Sequence, residues 1–178
     1  AIPSYEELSG DDFIIIGGYE SGIDAAINLV KQNKKVTVID TSSPWETKDS
    51  DPSNTLSPYT RERLESMKDK IVFSPNEKVI SISEDTSGFT ITTDKKQYFT
   101  KSKPINAAGF VSAPPLINQL FETDSSGFIL LTDNDESTVT ENLFLVGPKV
   151  KHGKILFCFI YKFRMRFGIV AKQIASRL

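Results

Sequence analysis

Phe13-Ile14-Ile15-Ile16-Gly17-Gly18-Tyr19-Glu20-Ser21-Gly22 is the stretch on which the reading of this chain turns. An unbroken apolar run rich in β-branched residues predicts a strand buried on both faces. The glycine pair ends it. Ile23, Ala26, Ile27 and Val30, spaced at three and four, then predict a helix over 20–32 that stops at Asn33. Val36-Thr37-Val38-Ile39-Asp40 reads as a second strand. Strand, helix and strand with short joints make a right-handed βαβ unit.

The turn between the first strand and the helix suits a dinucleotide pyrophosphate. Such a ligand needs a tight turn, close backbone approach, and the free N–H groups and favourable dipole of a helix N-terminus. Gly17 makes the turn, Ser21 adds a hydroxyl donor, and Gly22 lets the helix pack on the strand. The candidate phosphate site is therefore Gly17, Gly18, Tyr19, Glu20, Ser21 and Gly22. Tyr19 stands where the usual fingerprint has its second glycine, and a Cβ there restricts the backbone. The strand before, the helix after and the acidic Asp40 all satisfy the context that the motif demands. A glycine turn that serves only packing is the plainer alternative.

Asp40 ends the second strand, where a carboxylate accepts hydrogen bonds from an adenosine ribose. That favours NAD over NADP, because a 2′-phosphate meets like charge. At roughly 4 Å and an effective dielectric of 20 the repulsion is about 4 kcal/mol per unit charge. Against it, Thr41, Ser42 and Ser43 offer hydroxyls, and Arg61 and Arg63 are candidates to swing in with guanidinium forks. A solvated helix face is the plainer reading of both arginines. NADP and NAD both stay open.

Working outward, 41–56 is a polar loop with Pro44 and Pro52, too rich in breakers to be regular, and loops this long are usually functional or mobile. Ser57-Pro58 reads as an N-cap and first-turn proline opening a helix over 58–69, followed by a strand at 71–73. Segments 78–83, 89–93 and 97–100 alternate and are separated by turn signals, which predicts an antiparallel meander. Strand 104–108 closes on Gly109. Beyond it, a helix is expected at 115–121, strands at 128–131 and 143–146, and a long amphipathic helix over 157–178. Gly168 weakens the middle of that helix by about 1 kcal/mol relative to Ala.

Composition narrows the chemistry. The chain has 178 residues, 39% hydrophobic and 25% charged, which suffices for one domain or one and part of a second. A net charge of −2 argues against a nucleic-acid or anionic-membrane surface. The longest apolar run, Ile155 to Tyr161, is too short to span a bilayer. The opening residues carry no leader pattern and no initiator Met, so a processed chain or a fragment is expected. One Cys and one His rule out an intrachain disulfide, a Cys-x-x-Cys pair and a structural zinc site. No Gly-x-Ser-x-Gly elbow presents a nucleophile. A cofactor is therefore expected to carry the reaction, in the reducing cytoplasm. Cys158 reads as a buried thiol, His152 as part of a mobile loop, and Tyr161, Lys162, Arg164 and Arg166 as solvent-facing.

The order of elements, with a return through Ala107-Ala108-Gly109-Phe110, resembles the NAD(P)H domain of two-dinucleotide-binding flavoproteins. Ala-Thr-Gly closes the nicotinamide domain in that family, and this chain has Ala-Ala-Gly. Asn142-Leu143-Phe144-Leu145-Val146-Gly147 is similar to a later strand of the family, with Pro148 where an Asp usually reaches the flavin ribityl chain. More specifically, the chain resembles bacterial flavin-containing monooxygenases grouped with bacillithiol-disulfide-reductase-like proteins. Gly17–Gly22, Asp51-Pro52-Ser53, Leu56–Leu64, Asp135–Thr138 and Phe159–Phe167 carry that likeness, which extends over nearly the whole chain.

The resemblance implies an α/β fold. A Rossmann-like NAD(P)-binding domain, a parallel sheet plus a three-stranded antiparallel meander, would occupy 1–108, and the C-terminal part of a FAD-binding domain 109–178. It implies an NAD(P)H-dependent flavoprotein oxidoreductase in which hydride passes from nicotinamide to FAD, with a small-molecule substrate as final acceptor. Ala108, Gly109, Phe110 and Gly147 would touch the flavin end, and the turn that grips the FAD adenosine should precede residue 1. Without it, apolar faces in 110–178 would be exposed, which suggests a homodimer. The competing reading is a non-catalytic nucleotide-binding or assembly module.

Overall fold

The computed structural model describes residues 4–49, 54–109, 119–125, 127–147, 150–153, 155–157 and 160–178. The chain divides into two compact units, Ala1–Gly109 and Phe110–Leu178.

In the first unit, strand β1 (Asp12–Ile16) leads into helix α1 (Glu20–Lys31) and strand β2 (Lys35–Ile39). Asn33 adopts φ 61°, the left-handed conformation that ends a helix and that Asn tolerates best after Gly. Helix α2 (Pro58–Glu65) opens on Ser57, whose side chain accepts the Thr60 N–H, as the Ser-Pro pair predicts. The helix is one turn shorter than expected; a 3-10 turn at Lys68–Lys70 completes the segment before β3 (Ile71–Ser74). Three antiparallel strands follow: β4 (Val79–Asp85), β5 (Gly88–Thr93) and β6 (Gln97–Thr100). Strand β7 is only Ile105–Asn106, shorter than the predicted 104–108.

The parallel sheet runs β3-β2-β1-β7. β1 pairs in register with β2 from Asp12 opposite Lys35 to Ile16 opposite Ile39, and its end pairs with Ile105 and Asn106 of β7. Alternation assigns the two faces. Phe13 and Ile15 join Val36, Val38, Ile23, Ile27 and Leu64 in one core, while Ile14 and Ile39 join Ile91 in another, backed by Val79, Phe89 and Tyr98. The helices thus cover one face and the meander the other, and this is why β1 is apolar at every central position. Thr100 Oγ1 donates to the Asp12 carbonyl at 2.6 Å, tying β6 to the start of β1.

The second unit departs from its sequence reading. The expected strands 128–131 and 143–146 shrink to isolated bridges, Thr123 with Ile129, Ile129 with Val150, Leu131 with Ser137 and Glu136 with Phe144. A hairpin not foreseen, β8 (Val150–His152) and β9 (Ile155–Phe157), ends on Phe157, the first residue of the expected long helix. Gly153 at φ +58° makes its turn possible. The remainder is α3 (Ile160–Phe163) and α4 (Arg166–Ala175). The break falls at Arg164-Met165, and Gly168 lies inside α4. Most of the helix expected at 115–121, and Cys158, lie outside the described residues. Among the described residues no helix is long and apolar enough to cross a membrane.

His152 and Arg166 are not the loop and solvent-facing residues the sequence suggested. Both converge on Asp135, which is fully buried and held at φ +63°. His152 Nε2 lies 2.6 Å from Asp135 Oδ1, and Arg166 Nε donates to Asp135 Oδ2 at 2.7 Å. Beside them Arg177 donates to both Glu136 oxygens, at 2.6 and 2.5 Å. The Arg177 guanidinium, followed by the Asn142 N–H, holds the Glu136 carboxyl below its ordinary value. A depressed folded-state pKa means that the pair supports the fold fully above the unfolded value near 4.5, with that support lost as pH falls through the depressed value. The protection of the amides at residues 170–175, taken relative to intrinsic exchange at each pH, is therefore expected to fall on acidification below about 4.5. Protection with the same size and pH dependence in Glu136→Gln as in the wild type would remove the pair as an anchor of α4.

Candidate dinucleotide-binding site

β2 lies on one side of β1 and β7 on the other, so the direction of winding reverses at the carboxyl end of β1. Ligands of open α/β sheets bind in the crevice at such a point. Gly17 stands there at φ +102°, its N–H donating to the Ile39 carbonyl at 2.8 Å. A Cβ on Gly17 would lie 2.4 Å from the Ala107 carbonyl oxygen, and one on Gly22 would lie 1.8 Å from the Gly17 carbonyl oxygen. Both glycines are therefore obligatory, one for conformation and contact, the other for contact alone.

Tyr19 resolves differently from its sequence expectation. It is the N-cap of α1 at φ −85° and ψ −164°, ordinary extended backbone, so no strain attaches to the missing glycine. Its side chain is exposed and makes no capping hydrogen bond. The first-turn N–H groups of α1 thus carry no side-chain cap, which leaves them available to an anion. Ser21 is exposed on that turn. Such a cradle, with no room for a Cβ and donors at its rim, fits a pyrophosphate.

Other expected residues are engaged elsewhere. Asp40 is buried, and its Oδ2 accepts the Gly18 N–H at 2.6 Å while Oδ1 accepts the Ser42 N–H and Oγ at 2.7 and 2.8 Å. The carboxylate expected to read a ribose braces the turn with both of its oxygens. Thr41 is exposed next to it. Glu20 faces α2 and accepts from Ser57 N–H, Ser57 Oγ and Thr60 Oγ1. Arg61 turns both terminal nitrogens to the loop: Nη1 donates to the Trp45 carbonyl at 2.9 Å, and Nη2 to the Thr47 carbonyl at 2.8 Å and Thr55 Oγ1 at 2.6 Å. Arg63 pairs with Asp24 at 2.7 Å.

Trp45 was not foreseen as part of this region. Its ring is almost fully buried, stacks against Phe73 with centroids 4.6 Å apart, and fills the space where a Gly18 Cβ would stand, 2.2 Å from Cζ3. A lone aromatic in a polar loop between prolines was the available signal.

Of the residues expected at a flavin, Ala108 and Gly109 end the first unit, exposed, with Ala108 N–H donating to Asn106 Oδ1 at 3.1 Å. Phe110 lies outside the described residues. Gly109 and Gly147 have positive φ, +88° and +153°, and among the described residues nothing lies within 4 Å of where their Cβ atoms would stand. They belong to separate units.

Parallel sheet, reversal of winding and glycine turn together define a Rossmann-like α/β fold. The chain belongs to the pyridine nucleotide-disulphide oxidoreductase family, whose model matches residues 1–147. Solved structures share the fold. A pyridine nucleotide-disulfide family oxidoreductase from Enterococcus faecalis V583 is 18% identical with TM-score 0.71, covering 97% of this chain and 40% of its own. The water-forming NADH oxidase from Lactobacillus brevis bound to NADH is 21% identical with TM-score 0.70, covering 94% and 37%. The bacillithiol disulfide reductase from Staphylococcus aureus is 21% identical with TM-score 0.65, covering 94% and 51%. The chain thus spans between 37% and 51% of the latter two structures' lengths.

Proposed function

We propose that the chain binds a pyridine dinucleotide at Gly17–Gly22 and serves as the nucleotide-binding part of an NAD(P)H-dependent flavoprotein oxidoreductase. The observation that supports this best is the glycine turn at the sheet's reversal point, closed to any Cβ at Gly17 and Gly22 and open to an anion at the start of α1. In this reading the pyrophosphate takes the first-turn N–H groups and the Ser21 hydroxyl, while Ala107 and Ala108 floor the crevice. Asp40, with its charge beside Thr41 and Ser42, favours NADH over NADPH. FAD, when bound, supplies the acceptor for the hydride that the dinucleotide carries. The residues of this chain contribute binding and orientation.

The final acceptor in this proposal is a small molecule, and the reducing cytoplasm is the compartment. Ile155, Ile160, Met165 and Phe167 are each more than half exposed, which supports a second copy of the chain packing on the rear segment.

Titration with NADH and NADPH tests the first step. Saturable binding of either is expected, and none at millimolar concentration would remove the proposal. A yellow preparation with flavin absorbance supports the flavoprotein reading. Dinucleotide binding in a colourless preparation favours a module without turnover or a fragment of a larger flavoprotein.

A further inference from the structure

The loop above the phosphate turn assigns Arg61 a part that its charge alone does not suggest. We propose that Arg61 is a positioning residue for the dinucleotide: without touching the cofactor, it sets affinity by fixing Trp45 against Gly18. The proposal rests on the dinucleotide reading above and names the device that keeps that turn in one shape.

A Gly-Gly pair has wide conformational freedom, and the order lost on binding weakens affinity unless it is lost beforehand. Here the surroundings impose that order. The planar guanidinium fork takes the Trp45 and Thr47 carbonyls at once, and Thr55 Oγ1 as well. Thr55 Oγ1, itself buried, donates on to the Thr47 carbonyl, with the Pro44 carbonyl 3.2 Å away. Polar loop backbone is thereby satisfied around a buried indole. The indole edge packs where a Gly18 Cβ would stand, and Asp40 holds the Gly18 N–H.

The N-terminus of Arg61's helix is fastened to the same turn. Glu20, in the first turn of α1, accepts from the α2 cap residue Ser57 and from Thr60. Contacts therefore run in a closed ring from Gly18 to Trp45, to Arg61, along α2 to Ser57, and through Glu20 back to α1. Segment 41–49 is part of a fixed collar in this arrangement, and Arg61 is its clasp. Because the clasp acts on the pyrophosphate turn that NADH and NADPH share, it serves both equally. A ligand of the 2′-phosphate would serve NADPH alone.

That contrast supplies the test, made on the whole 178-residue chain, in which Trp45 is the sole tryptophan. In Arg61→Ala, Trp45 emission should move to the red and the dissociation constants for NADH and NADPH should both rise about tenfold, about 1.4 kcal/mol. Circular dichroism should match the wild type. Arg61→Lys, which can reach one carbonyl, should fall between and covers the case in which the alanine variant does not fold. Wild-type emission and affinity in both variants would overturn the proposal. So would a loss confined to NADPH, which would make Arg61 a phosphate ligand. A wild-type chain that binds neither dinucleotide removes the reading beneath and the role of Arg61 together.

Discussion

Gly22→Val is expected to abolish dinucleotide binding and to lower stability by more than about 3 kcal/mol, beyond the usual range for overpacking. A Cβ at this position would stand 1.8 Å from the Gly17 carbonyl oxygen and 3.4 Å from the Ala107 Cβ. The first is a backbone atom, which no rotamer change can move aside. Relief requires α1 to lift from β1, and α1 buries Ile23, Ala26, Ile27 and Val30 in the principal core. The same movement withdraws the helix N-terminus from the turn. Gly22→Ala carries the same Cβ with less bulk beyond it and should show the binding defect with a smaller loss of stability. Thermal unfolding and NADH titration on both variants measure this. Unchanged affinity and midpoint in Gly22→Val would show that the turn is not the site.

Asp40→Ser should have the next largest effect, and a compound one. Removing the carboxylate takes away a like charge from any 2′-phosphate, so the preference ratio should move towards NADPH by about 1 kcal/mol or more after solvent screening. It also strips the acceptor from the Gly18 N–H and from both Ser42 donors. Hydrogen bonds to charged groups contribute about 1.5–3 kcal/mol each. The two Ser42 donors are only partly buried and can turn to water, so a stability loss of roughly 2–4 kcal/mol is expected, set mainly by the buried Gly18 N–H, with weaker binding of both dinucleotides. Asp40→Asn keeps the shape and loses the charge, but it keeps only one acceptor and sets its NH2 against the N–H of either Gly18 or Ser42. It should shift the preference and lower the midpoint as well. If neither variant moves the ratio, Asp40 serves the turn alone.

The front of the chain was legible because its elements obey local rules. Strand β2 runs to Ile39 because Val36, Val38 and Ile39 lie against core on both sheet faces. α1 stops at an asparagine in the conformation asparagine favours, and Ser57-Pro58 starts α2 as a cap and first-turn proline should. The strands of the rear unit were misread for a physical reason. A run such as Phe128–Leu131 signals apolarity, but a strand also needs a neighbour to pair with, and Leu130 stays exposed. In the site, spacing found Gly17, Gly22 and Asp40, but not where the polar ends point. Arg61 reads as a free cation until the carbonyls of Trp45 and Thr47 are seen beside it. His152 reads as a loop residue until Asp135 appears across from it. Both partnerships join residues far apart in sequence and leave no periodic trace.

The floor of the Gly17 turn is the backbone of Ala107, which arrives when β7 pairs beside β1. The crevice is thus built from two pieces about ninety residues apart, and bringing such ends together costs about 4 kcal/mol of chain entropy over the length-dependent part alone. Contacts of that span form late and slowly in folding. On a ribosome, β1, α1 and β2 can assemble soon after they emerge, yet the crevice has no floor until residue 107 is also free. A ligand with affinity for the finished crevice and none for its open precursor draws that last closure forward by mass action. Refolding of this chain should therefore proceed with a slow final phase whose reversal, the reopening of β7 from β1, is suppressed by the dinucleotide.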